Sequence, residues 1–142
     1  MSVSSASPAG SDREATVGVM VVDDQASFRR AAHALVVATP GFEAVAEAEC
    51  GSEALRCADR LRPDMVLMDV HMPGMDGFEA ARRLTDAHPG CVVVLVSVQD
   101  TEDLPALLAS SGAVALVRKQ DLKPSLLRRL WAAHGVGPRS ES

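Results

Sequence analysis

Hydrophobic residues follow two alternating rhythms along the chain. Short, uninterrupted apolar runs occur at Val17–Val22 (VGVMVV, Gly18 included), Met65–Met68, Val92–Val96 and Ala113–Val117. Each is too short for a helix, and with the alternating segment Phe42–Ala48 they predict five strands. Between them the apolar residues recur at helical spacing. Phe28, Ala31, Ala32, Leu35 and Val36 mark one face over 27–38, and Ala54, Leu55, Ala58 and Leu61 mark another over 51–61. Phe78, Ala81 and Leu84 predict a helix over 77–87 with Asp76 as its N-cap. A short helix is expected from Leu104 to Ser110 and a last one from about Leu122 to Ala133. Pro105 and Pro124 sit in their first turns, where a missing N–H is no loss. Pro40-Gly41, His88-Pro89-Gly90 and Gly112 supply the breaks.

Apolar strands alternating with helices mean right-handed βαβ units, so the fold class is α/β, a five-stranded parallel sheet with helices on both faces. Periodicity alone does not order the strands. The flavodoxin-like order 2-1-3-4-5 is one of two common solutions. It is favoured because its switch point lies between the first and third strands, where Asp23, Asp24 and Asp69 then meet.

Composition sets the limits. A chain of 142 residues with 47% apolar and 23% charged residues is expected to be a single globular domain with one core. Its span is placed at 16–135. Residues 1–15 are rich in Ser, Ala, Gly and Pro, lack the basic and apolar regions of a signal peptide, and are expected to be a disordered tail, as are 136–142. Aromatics make up only 3%, so Val, Leu, Ala and Met must build the core. A net charge of −5 argues against direct nucleic-acid binding, and Arg128-Arg129 read as a solvated helix face. Cys50, Cys57 and Cys91 form no C-x-x-C pair, and with the scattered histidines they assemble no zinc pattern; reduced thiols in a cytoplasmic protein account for them. No apolar run approaches the length of a membrane span.

The polar residues at the strand ends carry the chemistry. Asp23-Asp24 follow the first strand, Asp69 ends the third, Ser97 follows the fourth and Lys119 follows the fifth. In a parallel sheet these all lie on one edge, the edge where ligands collect. Three clustered carboxylates repel and want a cation, and hard oxygen donors with room for water suit Mg²⁺. Lys119 is a compact charge suited to a phosphoryl oxygen, and a carboxylate can itself be the nucleophile in aspartyl-phosphate chemistry. Taken singly, each residue has a plainer reading as a cap, a turn former or a solvated lysine. Four strand ends carrying them in chain order are hard to assign to capping.

The chain resembles the receiver domain of bacterial two-component response regulators over about Thr16 to His134. The marks are Val21-Val22-Asp23-Asp24, the stretch from Asp64 to Gly77 (DMVLMDVHMPGMDG), Val96-Ser97 and Val117-Arg118-Lys119. The resemblance implies a phosphoprotein of a phosphorelay with Asp69 as phosphoacceptor, taking the phosphoryl group from a sensor histidine kinase or phosphotransfer protein. It implies Mg²⁺ held by Asp23, Asp24, Asp69 and the backbone carbonyl of His71, with Ser97 and Lys119 on the phosphoryl oxygens. Output is then expected through a downstream protein or homodimer, on the face built by the fourth helix, fifth strand and fifth helix. Leu104, Leu107, Leu108, Val117 and Arg128 are candidates for that face. The expected activity is a stand-alone receiver, catalytic at most in its own phosphorylation and dephosphorylation.

Three positions depart from the family pattern: Leu116 stands where an aromatic is common, Gln120 follows the lysine in place of Pro, and Val98 is bulkier than usual beside Ser97. They predict a conformational readout different from the aromatic switch. The alternative reading is a constitutive interaction module that keeps the fold and signals without phosphate. A haloacid-dehalogenase-like hydrolase is disfavoured because Asp69 is followed by Val70-His71 rather than by a second Asp two residues on.

Overall fold

The computed structural model describes residues 16–98 and 105–135; the expected tails and Leu104 lie outside the described residues. Five strands, β1 (Val17–Val22), β2 (Phe42–Ala48), β3 (Met65–Asp69), β4 (Val92–Ser97) and β5 (Ala115–Arg118), form one sheet in the order β2-β1-β3-β4-β5. Every pairing is parallel. The connecting helices are α1 (Ala26–Val37), α2 (Gly51–Leu61), α3 (Gly77–Ala87), α4 (Pro105–Ser111) and α5 (Pro124–His134). This is the flavodoxin-like topology that the sequence favours.

The strands are apolar throughout because both faces of the sheet are covered. Met20, Val22, Val66, Met68, Val93 and Leu95 point to one layer, where they meet Ala54, Cys57 and Ala58 of α2 and Phe78, Ala81 and Leu84 of α3. The alternate residues Val17, Val19, Met65, Leu67, Val92 and Val94 meet Val36 of α1 and Leu127 of α5. At roughly 1.5–3 kcal/mol for each fully buried Val, Leu or Met, β1, β3 and β4 anchor the molecule. All their residues are buried.

The helix ends follow local chemistry. The Asp76 carboxylate accepts the Glu79 N–H at 2.9 Å, the N-cap that the sequence predicts for α3. Arg62 ends α2 in the left-handed conformation at φ 48°. Leu61, expected in the buried stripe of α2, is 46% exposed, because the chain turns away at that cap. Ala31 is likewise exposed, and Ala32 and Val36 carry the buried face of α1.

Two boundaries at the C-terminal end differ from the periodicity. The expected strand over 113–117 begins two residues later, because the Val114 N–H still bridges to the Val93 carbonyl at 2.9 Å and the ladder opens at Ala115 against Val94. Residues Lys119–Asp121 form a 3₁₀ turn, so α5 starts at Pro124 rather than Leu122. That turn sits directly after the strand end that carries Lys119.

Candidate functional site at the carboxyl edge of the sheet

Strand register brings the polar strand ends together. Met68 pairs with Val22 and Asp69 with Val96, so the residues that follow β1 and those that end β3 and β4 share one edge. Asp23, Asp24 and Asp69 offer carboxylate oxygens that all lie within 4.8 Å of one another. Asp23 is fully buried, Asp69 is 7% exposed, and Asp24 faces solvent. Ser97 is buried at the end of β4. Its neighbour Val98, bulkier than is usual in the family, has a side chain open to solvent, with 66% exposure.

Lys119 reaches into the cluster from the 3₁₀ turn. Its Nζ lies 2.7 Å from Asp23 Oδ2 and 4.0 Å from Asp69 Oδ1. The shorter contact is a buried ion pair. The ammonium also stands 4.2 Å from the centre of the Phe28 ring, a cation–π contact that steadies it over α1.

The Asp69 carboxyl is held above the usual carboxylate range. Burial is the main cause, followed by the Asp23 charge and, more weakly, by that of Asp24; Lys119 and a hydrogen bond from the backbone of His71 pull the other way. An acid raised in this way gives up its proton more readily when a cation joins the cluster. The donor set fits Mg²⁺: three hard oxygen groups within 4.8 Å of one another, opening toward water at Asp24.

Backbone packing fixes the loop after Asp69. The Val70 N–H donates to the Val96 carbonyl at 2.9 Å, and the Gly77 N–H returns to the Val70 carbonyl at 2.9 Å. A Cβ at Gly77 would overlap the carbonyl oxygen of Asp69 and lie 2.8 Å from the Val70 Cα. Only glycine lets α3 begin so close to the strand end.

The structure gathers Asp23, Asp24, Asp69 and Lys119, and it places buried Ser97 at the end of the adjacent strand. His71 is exposed, and its backbone N–H turns to Asp69. Periodicity misses two contributors. Phe28 reads as a core residue of α1 but lies under Lys119. Arg29 donates from Nη1 to the Asp23 carbonyl at 2.7 Å. An arginine on the half-buried flank of a helix that follows an Asp pair is the one sequence signal among them. Away from the site, Asp64, buried at the opposite end of β3, accepts the Gly18 N–H at 2.8 Å and ties β3 to β1.

Comparison with known proteins agrees with this fold. The profile of the response regulator receiver domain matches residues 19–130, and the chain belongs to this family of two-component signalling proteins. Among curated relatives, it is 38% identical to the response regulator GacA of Pseudomonas aeruginosa over 103 residues, covering 72% of this chain and 48% of that protein. It is 41% identical over 107 residues to protein-glutamate methylesterase/protein-glutamine glutaminase 4 of Geobacter metallireducens, covering 73% and 31%. The chain therefore spans less than half the length of these relatives. Among solved structures, the response regulator domain of Thermotoga maritima CheB superposes with a TM-score of 0.74 at 27% identity, covering 84% of this chain and 96% of that one. The receiver domain of the response regulator NarL from Mycobacterium tuberculosis gives 0.75 at 26% identity, with coverage of 84% and 96%. Among the described residues, no helix is long and apolar enough to cross a membrane.

Proposed function

We propose that this chain is a phosphorylation-dependent receiver in which Asp69 accepts a phosphoryl group from a histidine kinase or phosphotransfer protein. The observation that carries the reading is the meeting of Asp23, Asp24 and Asp69 within 4.8 Å, with the Lys119 ammonium beside them. An Asp69 carboxylate oxygen attacks phosphorus, the bond from phosphorus to the donor's histidine nitrogen breaks, and an acyl phosphate forms on Asp69. Positioning and charge neutralisation are most of what phosphoryl transfer requires, and these residues supply both. Mg²⁺, held by Asp23, Asp24, Asp69 and the His71 carbonyl, would offset the charge on the phosphoryl oxygens. Lys119, 4.0 Å from Asp69, is placed to contact one of them, and Ser97 another. The signal leaves through a protein partner or a second copy on the α4–β5–α5 face, where Leu107 is 49% exposed.

Intact-mass measurement of wild type and Asp69→Asn after incubation with Mg²⁺ and a small acyl phosphate tests this reading. Wild type gains the mass of one phosphoryl group and Asp69→Asn gains none. A gain that persists in Asp69→Asn moves the acceptor elsewhere. No gain on wild type, either from the small donor or from a histidine kinase, favours a constitutive interaction module, for which Leu116 in place of an aromatic is the supporting observation.

A further inference from the structure

We propose that Arg29 is a positioning residue for the acidic site, shaping the β1–α1 turn so that Asp23 and Asp24 present themselves together to a divalent cation. This rests on the Mg²⁺-binding reading of the site given above.

The Arg29 side chain is 14% exposed and its guanidinium works as a three-way fork. Nη1 donates to the Asp23 backbone carbonyl at 2.7 Å. Nε lies 3.4 Å from Glu47 Oε1 and Nη2 3.8 Å from Glu49 Oε2. The two acids, Glu47 in the edge strand β2 and Glu49 just after it, are exposed, and ion pairs there contribute little to stability. The arm that reaches the main chain is of a different kind. The Asp23 N–H is already held by the Ala48 carbonyl at 3.1 Å, so Arg29 completes the restraint on both backbone polar groups of Asp23. The turn then closes on itself: the Gln25 N–H donates to Asp23 Oδ1 at 2.8 Å, and the Arg29 N–H donates to the Gln25 carbonyl at 3.1 Å. One Asp23 oxygen is thereby held within the turn, and the other, Oδ2, faces Lys119 Nζ at 2.7 Å. Among the described residues, no hydrogen bond or ion pair joins Arg29 to the cluster's carboxylates. Arg29 acts through the backbone of the residue that carries one of them.

Charge and geometry make opposite predictions here, which gives the proposal a decisive sign. Arg29 is a cation near an anionic pocket, so removing it by electrostatics alone should strengthen binding of a divalent cation. A positioning role predicts weaker binding, since losing a partner that orients a metal ligand typically costs about 10–100-fold in affinity. Arg29→Lys separates the two again: it keeps the charge but cannot form the planar fork, so charge alone predicts no change.

The test is calorimetric titration of MgCl₂ into the full chain as wild type, Arg29→Met and Arg29→Lys. Amide exchange at Gln25 is followed without metal. Arg29→Met should bind Mg²⁺ about tenfold more weakly, and Arg29→Lys several-fold more weakly. The Gln25 amide should exchange faster in both variants, while core β3 and β4 amides keep their protection. Arg29→Lys carries the test alone if Arg29→Met does not fold. Equal or tighter Mg²⁺ binding by Arg29→Met, wild-type affinity in Arg29→Lys, or unchanged Gln25 exchange overturns the proposal. Wild type that binds no Mg²⁺ overturns instead the reading on which it rests.

Discussion

Replacing Asp69 by asparagine should stabilise the metal-free protein, an unusual outcome for a change at a buried position. Asparagine preserves shape and removes one negative charge from a cluster whose oxygens lie no more than 4.8 Å apart. At an effective dielectric of about 20, each like-charge pair at that separation costs roughly 3.5 kcal/mol. The attraction to Lys119 at 4.0 Å returns about 4 kcal/mol. Two repulsions against one attraction leave a net cost of about 3 kcal/mol, before the cost of burying the charge. Solvent screens the part due to exposed Asp24, so the expected gain is about 1–2 kcal/mol.

The pH dependence follows from the raised pKa of Asp69. A folded-state pKa above the unfolded one means that the protonated group contributes stability that is fully present below the unfolded pKa. That stability is lost as pH rises through the folded pKa. Wild type should therefore match Asp69→Asn in acid and fall behind it toward neutrality. Mg²⁺ should narrow the neutral gap by stabilising wild type more than the variant. Urea unfolding followed by Trp131, the single tryptophan, measures all three conditions. An Asp69→Asn protein no more stable than wild type at neutral pH, or a gap independent of pH, would refute the electrostatic account.

Gly77→Ala should destabilise the protein by about 1–3 kcal/mol and weaken Mg²⁺ binding, although alanine is the better helix former, because the new Cβ meets backbone of Asp69 and Val70 that cannot yield. Gly90→Ala is the control: nothing lies within 4 Å of its Cβ, and unfolding midpoints should stay level or rise. Asp64→Ala should cost about 1–3 kcal/mol by leaving the buried Gly18 N–H without its acceptor, while Mg²⁺ affinity at the far edge of the sheet stays near wild type. A coincident loss of affinity would mean that the two ends of the sheet are coupled.

The legible part of this protein is its local pattern. The runs VGVMVV, MVLM and VVVLV announce buried parallel strands because both faces of each must be apolar, and the helical stripes between them impose the crossover topology. The candidate site was legible for the same reason. Asp23, Asp24, Asp69, Ser97 and Lys119 each break an apolar strand at its end, and a parallel sheet puts all such breaks on one edge. Boundaries at β5 and α5 were less legible, because a single hydrogen bond from Val114 and a 3₁₀ turn at Lys119 move them without changing the periodicity.

Tertiary structure alone decided which side chains support the strands and the site. Asp64 and Gly18 are 46 residues apart, and no spacing rule links them; strand pairing makes them partners. Phe28 and Val36 share one stripe of α1, yet Val36 enters the core and Phe28 lies under a lysine brought from the far end of the chain. Arg29 reads as a surface charge until β2 sets Glu47 and Glu49 beside it and the turn after β1 offers a carbonyl. Hydrophobic pattern determines which face of an element is buried, a one-dimensional property that the chain carries locally. The partners of a polar group depend on chain segments that meet only once the sheet has formed, and that is why the carboxylates were visible in the sequence and the residues that hold them were not.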